Sequence, residues 1–437
     1  MIDPRASASV TAYAADRIFD GHRTWINHAI VIQNGVVTGI RPSREWDGTI
    51  PLKSYPGCTI LPGLIDTHIH FMPWQGPQYL AYGITTLRDV GNELNWILTR
   101  RSEWPAKPWP RILCVGPLLD GPRAFHRFVS RSCSDLSSAV TAVRETAEAG
   151  VDGIKLYVGL PPDWLSPMAR EAHAAGLKVS MHCSAAGVLQ PGRAGVDEFF
   201  HLDGILADLW PDHPPGWLNL WGAPEISGKV DRLRQIADEI RELGLTATPT
   251  LAYWDSQWRA RTRDYPHSVD LRHVPAPIIK WQAGGTADPA GSEQWLKALE
   301  AAQRFIGLLY ERGVPILAGT DVPCGAVPPG LSLWRELQLL VGSGLSPVQA
   351  IRTATASAAQ FLGHPELGCL TVGASADLVV VRGDPLDHIP ELPEIPLVIR
   401  TGQAYFPAEL LSATVREPLS TNDPWYLQFR LHAGENK

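Results

Sequence analysis

The chain has 437 residues, 45% of them hydrophobic and 19% charged, with a formal net charge of -7. That is enough apolar surface for one large core or two smaller ones, and the mildly acidic balance excludes the basic, counterion-releasing surface that nucleic acid or an anionic membrane requires. Six scattered cysteines (Cys58, Cys114, Cys133, Cys183, Cys324 and Cys369) lack zinc-finger or redox spacing, which suits a reducing compartment. The first residues, MIDPRASASV, carry no secretory pattern, and no apolar run is long enough to span a bilayer. The expectation is a soluble cytoplasmic protein that takes a small-molecule substrate, with no nucleic acid and no membrane as partner; a homo-oligomer is compatible with the sequence.

The first elements read as short strands. In HAIVIQNGVVTGI two β-branched runs flank Asn34-Gly35, a hairpin signal, and YPGCTILPG leads to a strand ending in His68 and His70. From there strand-like runs alternate with amphipathic helices. The strands are TILPGLIDTHIH, ITTLRDVG, PRILCVGP, GIKLYVG, LKVSMHCSA, DEFFHLDG, LTATPTLAYW and VPILAGTDV. The clearest helices are SDLSSAVTAVRETAEAG stopping at Gly150, DWLSPMAREAHAAG at Gly176, VDRLRQIADEIRELG at Gly244, and one around EQWLKALEAAQRFIGLLYERG. Eight strand–helix units imply a parallel sheet closed into a (β/α)8 barrel; an open doubly wound sheet is the runner-up, but no glycine-rich phosphate loop follows an early strand. Two helices, LSLWRELQLLVGSG and SPVQAIRTATASAAQFLG, follow the eighth strand, and strand character returns in CLTVGASADLVVVRGDP and IPLVIRTGQAYF. Terminal strands this small do not form independent sheets, so the two chain ends are expected to pair beside the barrel, which divides the chain into residues 1–59, 60–365 and 366–437.

Barrels of this kind carry their chemistry at the carboxyl ends of the strands. There the sequence places His68 and His70 on strand one, Lys155 on strand four, His182 on five, His201 on six and Asp321 on eight. His68 and His70 are two residues apart and share a face of their strand. His68, His70 and Asp321 could hold one divalent ion, and His182 and His201 a second; imidazole and carboxylate suit Zn2+. Water brought to a pKa near ~7 by such an ion becomes a nucleophile, and Asp321, with an oxygen to spare, could take its proton and pass it to a leaving amine. Lys155 has two readings. As a neutral amine it could add carbon dioxide, and the carbamate would bridge two ions; as a plain amine it would orient substrate beside a single ion.

The set HIH, IKLY, MHCSA, FHLDG and AGTD, flanked by LPGLIDTHIHF and by GCLTVGASADLVVVRGDP with VIRTGQAYF, resembles the amidohydrolase superfamily, nearest its prolidase-like and imidazolonepropionase-like branch. The resemblance covers nearly the whole chain. It implies a distorted (β/α)8 TIM barrel with a small β-sandwich built from both chain ends, and metal-dependent hydrolysis of carbon–nitrogen bonds in dipeptides, N-acyl amino acids or cyclic or aryl amides. Two departures stand out. Lys155 is followed by LYVGLPPDW, where carbamylated relatives often continue with a small, glycine-rich segment. Phe200 precedes His201 where many relatives have an acidic residue, so a partner for the histidine would have to come from elsewhere, such as Asp203.

Tryptophans crowd the loops after strands one, six and seven: Trp74, then Trp210, Trp217 and Trp221, then Trp254 and Trp258. Together they suggest an apolar or aromatic substrate. Tyr157, two residues beyond Lys155, shares its side of the strand, and with Trp74, His126, Tyr253 and Trp254 makes the expected substrate-binding set. Arg123 is a second loop cation, Arg88 and Asp89 suggest a structural ion pair, and Cys183 and Cys324 are given no role. Two rivals to hydrolysis are a metal-dependent lyase or cyclase on the same fold and a non-catalytic binder. Solvent-oxygen incorporation separates the first, and metal content the second.

Overall fold

The computed structural model describes residues 10–210, 221–262, 271–282, 289–325, 327–414 and 419–432. The N-terminal part forms β1 (Val10–Phe19), β2 (Thr24–Gln33), β3 (Val36–Pro42) and β4 (Leu52–Pro62). Asn34 and Gly35 take φ of 51° and 77°, the two positive values that a two-residue hairpin needs, and Gln33 pairs with Val36 across the turn.

The chain then enters β5 (Leu64–Ile69), β6 (Ile84–Asp89), β7 (Arg111–Cys114), β8 (Leu118–Asp120), β9 (Ser130–Ser132), β10 (Ile154–Leu156), β11 (Val179–His182), β12 (Glu198–Phe200) and β13 (Thr246–Thr248). It ends with β14 (Leu378–Arg382), β15 (Leu397–Arg400) and β16 (Gln403–Tyr405), followed by helices Pro407–Thr414 and Pro424–His432.

The inner strands are parallel and form a ring. β5, β6 and β7 pair in sequence, and β8, β10, β11, β12 and β13 continue it. The third position is split, β7 bonding to β6 and β8 to β10. Segment 315–318 completes the circle: Ala247 N donates to Pro315 O at 2.9 Å, Leu317 N to Ala247 O at 2.9 Å, and Thr67 N to Ala318 O at 3.1 Å. The expected first strand is in fact two. Residues up to Pro62 belong to the outer sheet, and Gly63 marks the crossing, with no room for a Cβ against Thr85. The seventh expected strand is cut short, because its second half is helical, Leu251–Arg259. The helix expected over 346–363 is broken into Pro347–Thr353 and Ala356–Phe361.

The outer sheet runs β16-β15-β14-β4-β1-β2-β3 and draws its strands from both chain ends. The β2–β3 turn returns to the segment before β14, with Val37 N donating to Ala374 O at 3.0 Å and Ala376 N to Gly35 O at 2.8 Å. The sheet therefore closes over its own inner face as a small sandwich around Ile18, Ile30, Ile60, Leu378 and Leu397.

Candidate metal centre

Alternation along β5 sends Asp66, His68 and His70 to one side and Ile65, Thr67 and Ile69 to the other. His68 Nε2 and His70 Nε2 each lie 3.3 Å from Asp321 Oδ1. All three residues are buried, and their donor atoms form a group of the size that holds a metal ion. Among the described residues neither ring nitrogen of the buried His68 has a hydrogen-bonding partner, so the approach to Asp321 has ion-pair distance but not hydrogen-bond alignment. An imidazole with two idle nitrogens is costly in a protein interior and ordinary as a metal ligand. The residues fit a divalent ion.

His201 and His182 stand beside this group, with ring centres 4.8 Å from His68 to His201 and 4.3 Å from His201 to His182. Strand alternation alone would turn His201 away from the side taken by Phe200. A left-handed backbone, φ 62°, brings its ring back into the mouth of the barrel; Asp321 has the same device, φ 63°. Burial, with neighbouring Lys155 and histidines adding to it, holds His68 and His201 in the neutral form that donates a lone pair.

Partners fix the tautomers. Gly91 O can only accept, so His70 Nδ1, 3.2 Å away, carries the proton and Nε2 is left for an ion. Thr250 Oγ1 donates to Pro249 O at 2.7 Å and must accept from His201 Nδ1, also at 2.7 Å. His182 Nε2 lies 2.9 Å from Asp203 Oδ2, leaving Nδ1 for the site. Asp203 thus partners His182, while a threonine serves His201.

Lys155 is buried among these groups, with Nζ 3.9 Å from the Phe200 ring centre, and burial draws its amine down to about 7. Tyr157 OH lies 3.1 Å from His126 Nε2, and both line the cavity; burial pushes His126 down to about 3, so the ring is neutral. The cavity measures about 50 Å³ and is lined by the five histidines with Lys155, Tyr157, Asp321, Leu118, Cys324 and Trp425.

The other expected substrate residues sit elsewhere. Trp74 is buried in an apolar cluster with Met72 and Leu118, and Trp254 is packed between Trp221 and Trp295 at 6.3 and 6.1 Å. Tyr253 is half-buried on the same helix, outside the cavity wall. Trp210 and Trp258 are half-buried, Arg123 is exposed, and Trp217 lies outside the described residues. Arg88 pairs with Glu198 rather than Asp89: Nη1 donates to Oε2 at 2.8 Å and Nη2 to Oε1 at 2.7 Å. Asp89 instead accepts from Phe71 N and Asn92 Nδ2.

Sequence reasoning missed Trp425, whose ring is 4.2 Å from that of His70. The signal was present in Asp423-Pro424, an N-cap followed by proline at the first helical position. Cys324 also lines the cavity, and burial raises its thiol well above the usual range.

A family model described as the amidohydrolase family matches residues 78–404. The match takes in Lys155, His182, His201 and Asp321 and begins after the strand of His68 and His70. Among solved structures, a bottromycin amidohydrolase is similar with a TM-score of 0.72 at 23% identity, over 96% of this chain and 92% of its own. A Xaa-Pro dipeptidase with methionine bound in its active site gives 0.68 at 20%, over 91% and 100%. The ochratoxinase of A. niger gives 0.67 at 18%, over 91% and 96%. At these identities the likeness is one of fold. No curated protein matches the chain.

Proposed function

The chain belongs to the amidohydrolase family, and from that premise we propose that it is a metal-dependent hydrolase that cleaves the C–N bond of a small amide bearing an apolar group, such as an N-acyl amino acid, a dipeptide, or a cyclic or aryl amide. The observation that carries this reading is the convergence of His68 Nε2 and His70 Nε2 on one oxygen of Asp321, each at 3.3 Å, with His68 otherwise unpartnered.

His68, His70 and Asp321 would hold one ion, most simply Zn2+, and His182 and His201 a second where Lys155 is carbamylated. The ion supplies Lewis acidity and a water acidic enough to react near neutral pH. The rest of the chemistry falls to the chain. Asp321 keeps an oxygen beyond the one the histidines approach, and this oxygen can accept the proton of the attacking water and return it to the departing amine. Tyr157 and neutral His126, joined at 3.1 Å, stand across the cavity where they can hydrogen-bond a substrate carbonyl or carboxylate. Leu118 and Trp425 supply apolar wall. A neutral Lys155 amine is accessible near pH 7, which favours the carbamate reading.

The test is a screen of Zn2+- or Mn2+-loaded protein against those four amide classes in labelled water, with mass detection and metal analysis. Hydrolysis places one solvent oxygen in the acid product. Turnover without label would move the reaction to lyase or cyclase chemistry, and a protein that takes up no metal would remove the mechanism. Two ions per chain in bicarbonate, falling together with activity in Lys155→Ala, supports the bridge; one ion retained by that variant rejects it.

A further inference from the structure

At about 50 Å³ the cavity in front of the metal ligands is far below the ~300–1,000 Å³ of pockets that accept small organic ligands. Much of its wall cannot retreat. His68, Lys155 and His182 stand on strands bonded to their neighbours within the ring, and His201 and Asp321 are tied to it through their own main chains, His201 N to Thr248 O at 3.0 Å and Asp321 N to His68 O at 2.8 Å.

Trp425 is different in origin. It comes from the C-terminal part of the chain, on the nine-residue helix Pro424–His432, and is the largest of the described side chains that line the cavity. Trp425 is 2% exposed, and its ring lies 4.2 Å from His70 and 5.3 Å from His126, centre to centre. Its Nε1 donates to Gly91 O at 2.7 Å, the same carbonyl that fixes His70 Nδ1. The helix is seated by its own chemistry. Asp423 accepts from Trp425 N and Tyr426 N at 3.0 and 3.2 Å, Phe128 N donates to Gln428 Oε1 at 3.1 Å, and Phe429 packs on Trp425.

We propose that Trp425 determines specificity by exclusion: its indole occupies the space beside His70 and limits the substrate group placed there to a slender one, shutting out branched and aryl groups. The inference rests on the hydrolase reading and narrows its substrate class. A ring anchored by a buried hydrogen bond and packed on three sides is removed only at a cost, whereas a slender chain needs no such removal.

Trp425→Ala and Trp425→Phe test it, the second keeping an aromatic in place should the first fail to fold. In metal-free protein, diethyl pyrocarbonate should modify His70 at least ~10-fold faster in Trp425→Ala than in wild type, measured against exposed His22 and His388, because in wild type the indole must move aside before reagent reaches the His70 ring. In metal-loaded protein, affinity for benzohydroxamate relative to acetohydroxamate should rise by about 10-fold in Trp425→Ala and less in Trp425→Phe. Unchanged His70 labelling, or an unchanged ratio of the two hydroxamates in a folded variant, overturns the proposal. A wild type that takes up no metal overturns the hydrolase reading instead and leaves the labelling comparison readable.

Discussion

Asp321 holds its place through its backbone as much as through its carboxylate. Its φ is 63°, its N donates to His68 O at 2.8 Å, and its own carbonyl accepts from Cys324 N at 2.7 Å. Asparagine is among the few residues that take left-handed backbone readily, so Asp321→Asn preserves the turn while removing the proposed proton acceptor. We expect that variant, loaded with metal, to keep most of its substrate affinity and to lose at least ~100-fold in turnover, the usual scale for loss of a general base. Steady-state kinetics alongside metal analysis check it; near-normal turnover at full metal content would leave the proton shuttle without a residue. At this scale the residues that gather at the candidate site, His68, His70, Lys155, His182, His201 and Asp321, were legible in the sequence, because a polar residue at the end of an apolar strand is costly to bury unless it finds a partner. The left-handed conformations of His201, Thr250 and Asp321, with φ of 62°, 54° and 63°, were not, since residue type alone does not set φ at a strand end.

Arg88, Glu198, Ser180, Thr248 and Thr67 tie five of the barrel's strands together around the candidate metal ligands. Arg88 on β6 forks onto Glu198 on β12 and donates through Nε to Thr67 O on β5 at 2.6 Å. Ser180 Oγ on β11 and Thr248 Oγ1 on β13 donate to the same carboxylate at 2.5 and 2.6 Å. Every lone pair has a donor, which is the condition under which a buried ion pair is tolerable. Glu198→Gln removes the charge and leaves Arg88 buried without its counterion, so it should cost about 3–5 kcal/mol, while Arg88→Met with Glu198→Met should recover much of that loss. Urea unfolding of the three proteins measures it; a single variant within ~0.5 kcal/mol of wild type would show that solvent reaches the pair. The element pattern was readable where local chemistry is strong. Asp135 caps its helix by accepting from Ser138 N at 2.7 Å, and Gly150, Gly176, Gly244 and Gly313 end helices with φ between 69° and 81°. It was not readable where tertiary contacts overrule it. Leu251–Arg259 looks like a strand extension but folds as a helix, whose Ala252 N donates to Glu336, a carboxylate from a distant helix. Arg88 beside Asp89 suggested a local pair, yet neighbours along a strand face opposite ways, and the partner lies 110 residues on.

The outer sheet is joined to the barrel by more than chain continuity. Arg400 on β15 is buried, and its Nη1 donates to Lys107 O at 2.9 Å, to Trp104 O at 3.2 Å and to Trp109 O, the carbonyls of the loop that leads into β7. Nearby, Arg111 at the start of β7 reaches Asp377 Oδ2 at 3.3 Å, and Asp377 Oδ1 accepts from Thr401 N at 2.5 Å. One guanidinium therefore bonds several main-chain oxygens, of which Trp109 O is buried while Trp104 O also accepts from Lys107 N at 3.2 Å, and it stands between a sheet made from both chain ends and the second and third strands of the ring. Arg400→Met should strand the buried Trp109 oxygen, at roughly 1–3 kcal/mol. Arg400→Lys should lose less, because an ammonium carries three donors but not the planar fork. The distribution of that loss is the informative measurement. If sheet and barrel unfold as one cooperative unit, Arg400→Met lowers hydrogen-exchange protection of β6 and β7 as much as that of β14 and β15, and the chain melts in a single transition displaced to lower denaturant. Two separated transitions, with the barrel strands protected as in wild type, would mean that the barrel folds without the sheet, and that its candidate metal ligands owe nothing to the chain ends.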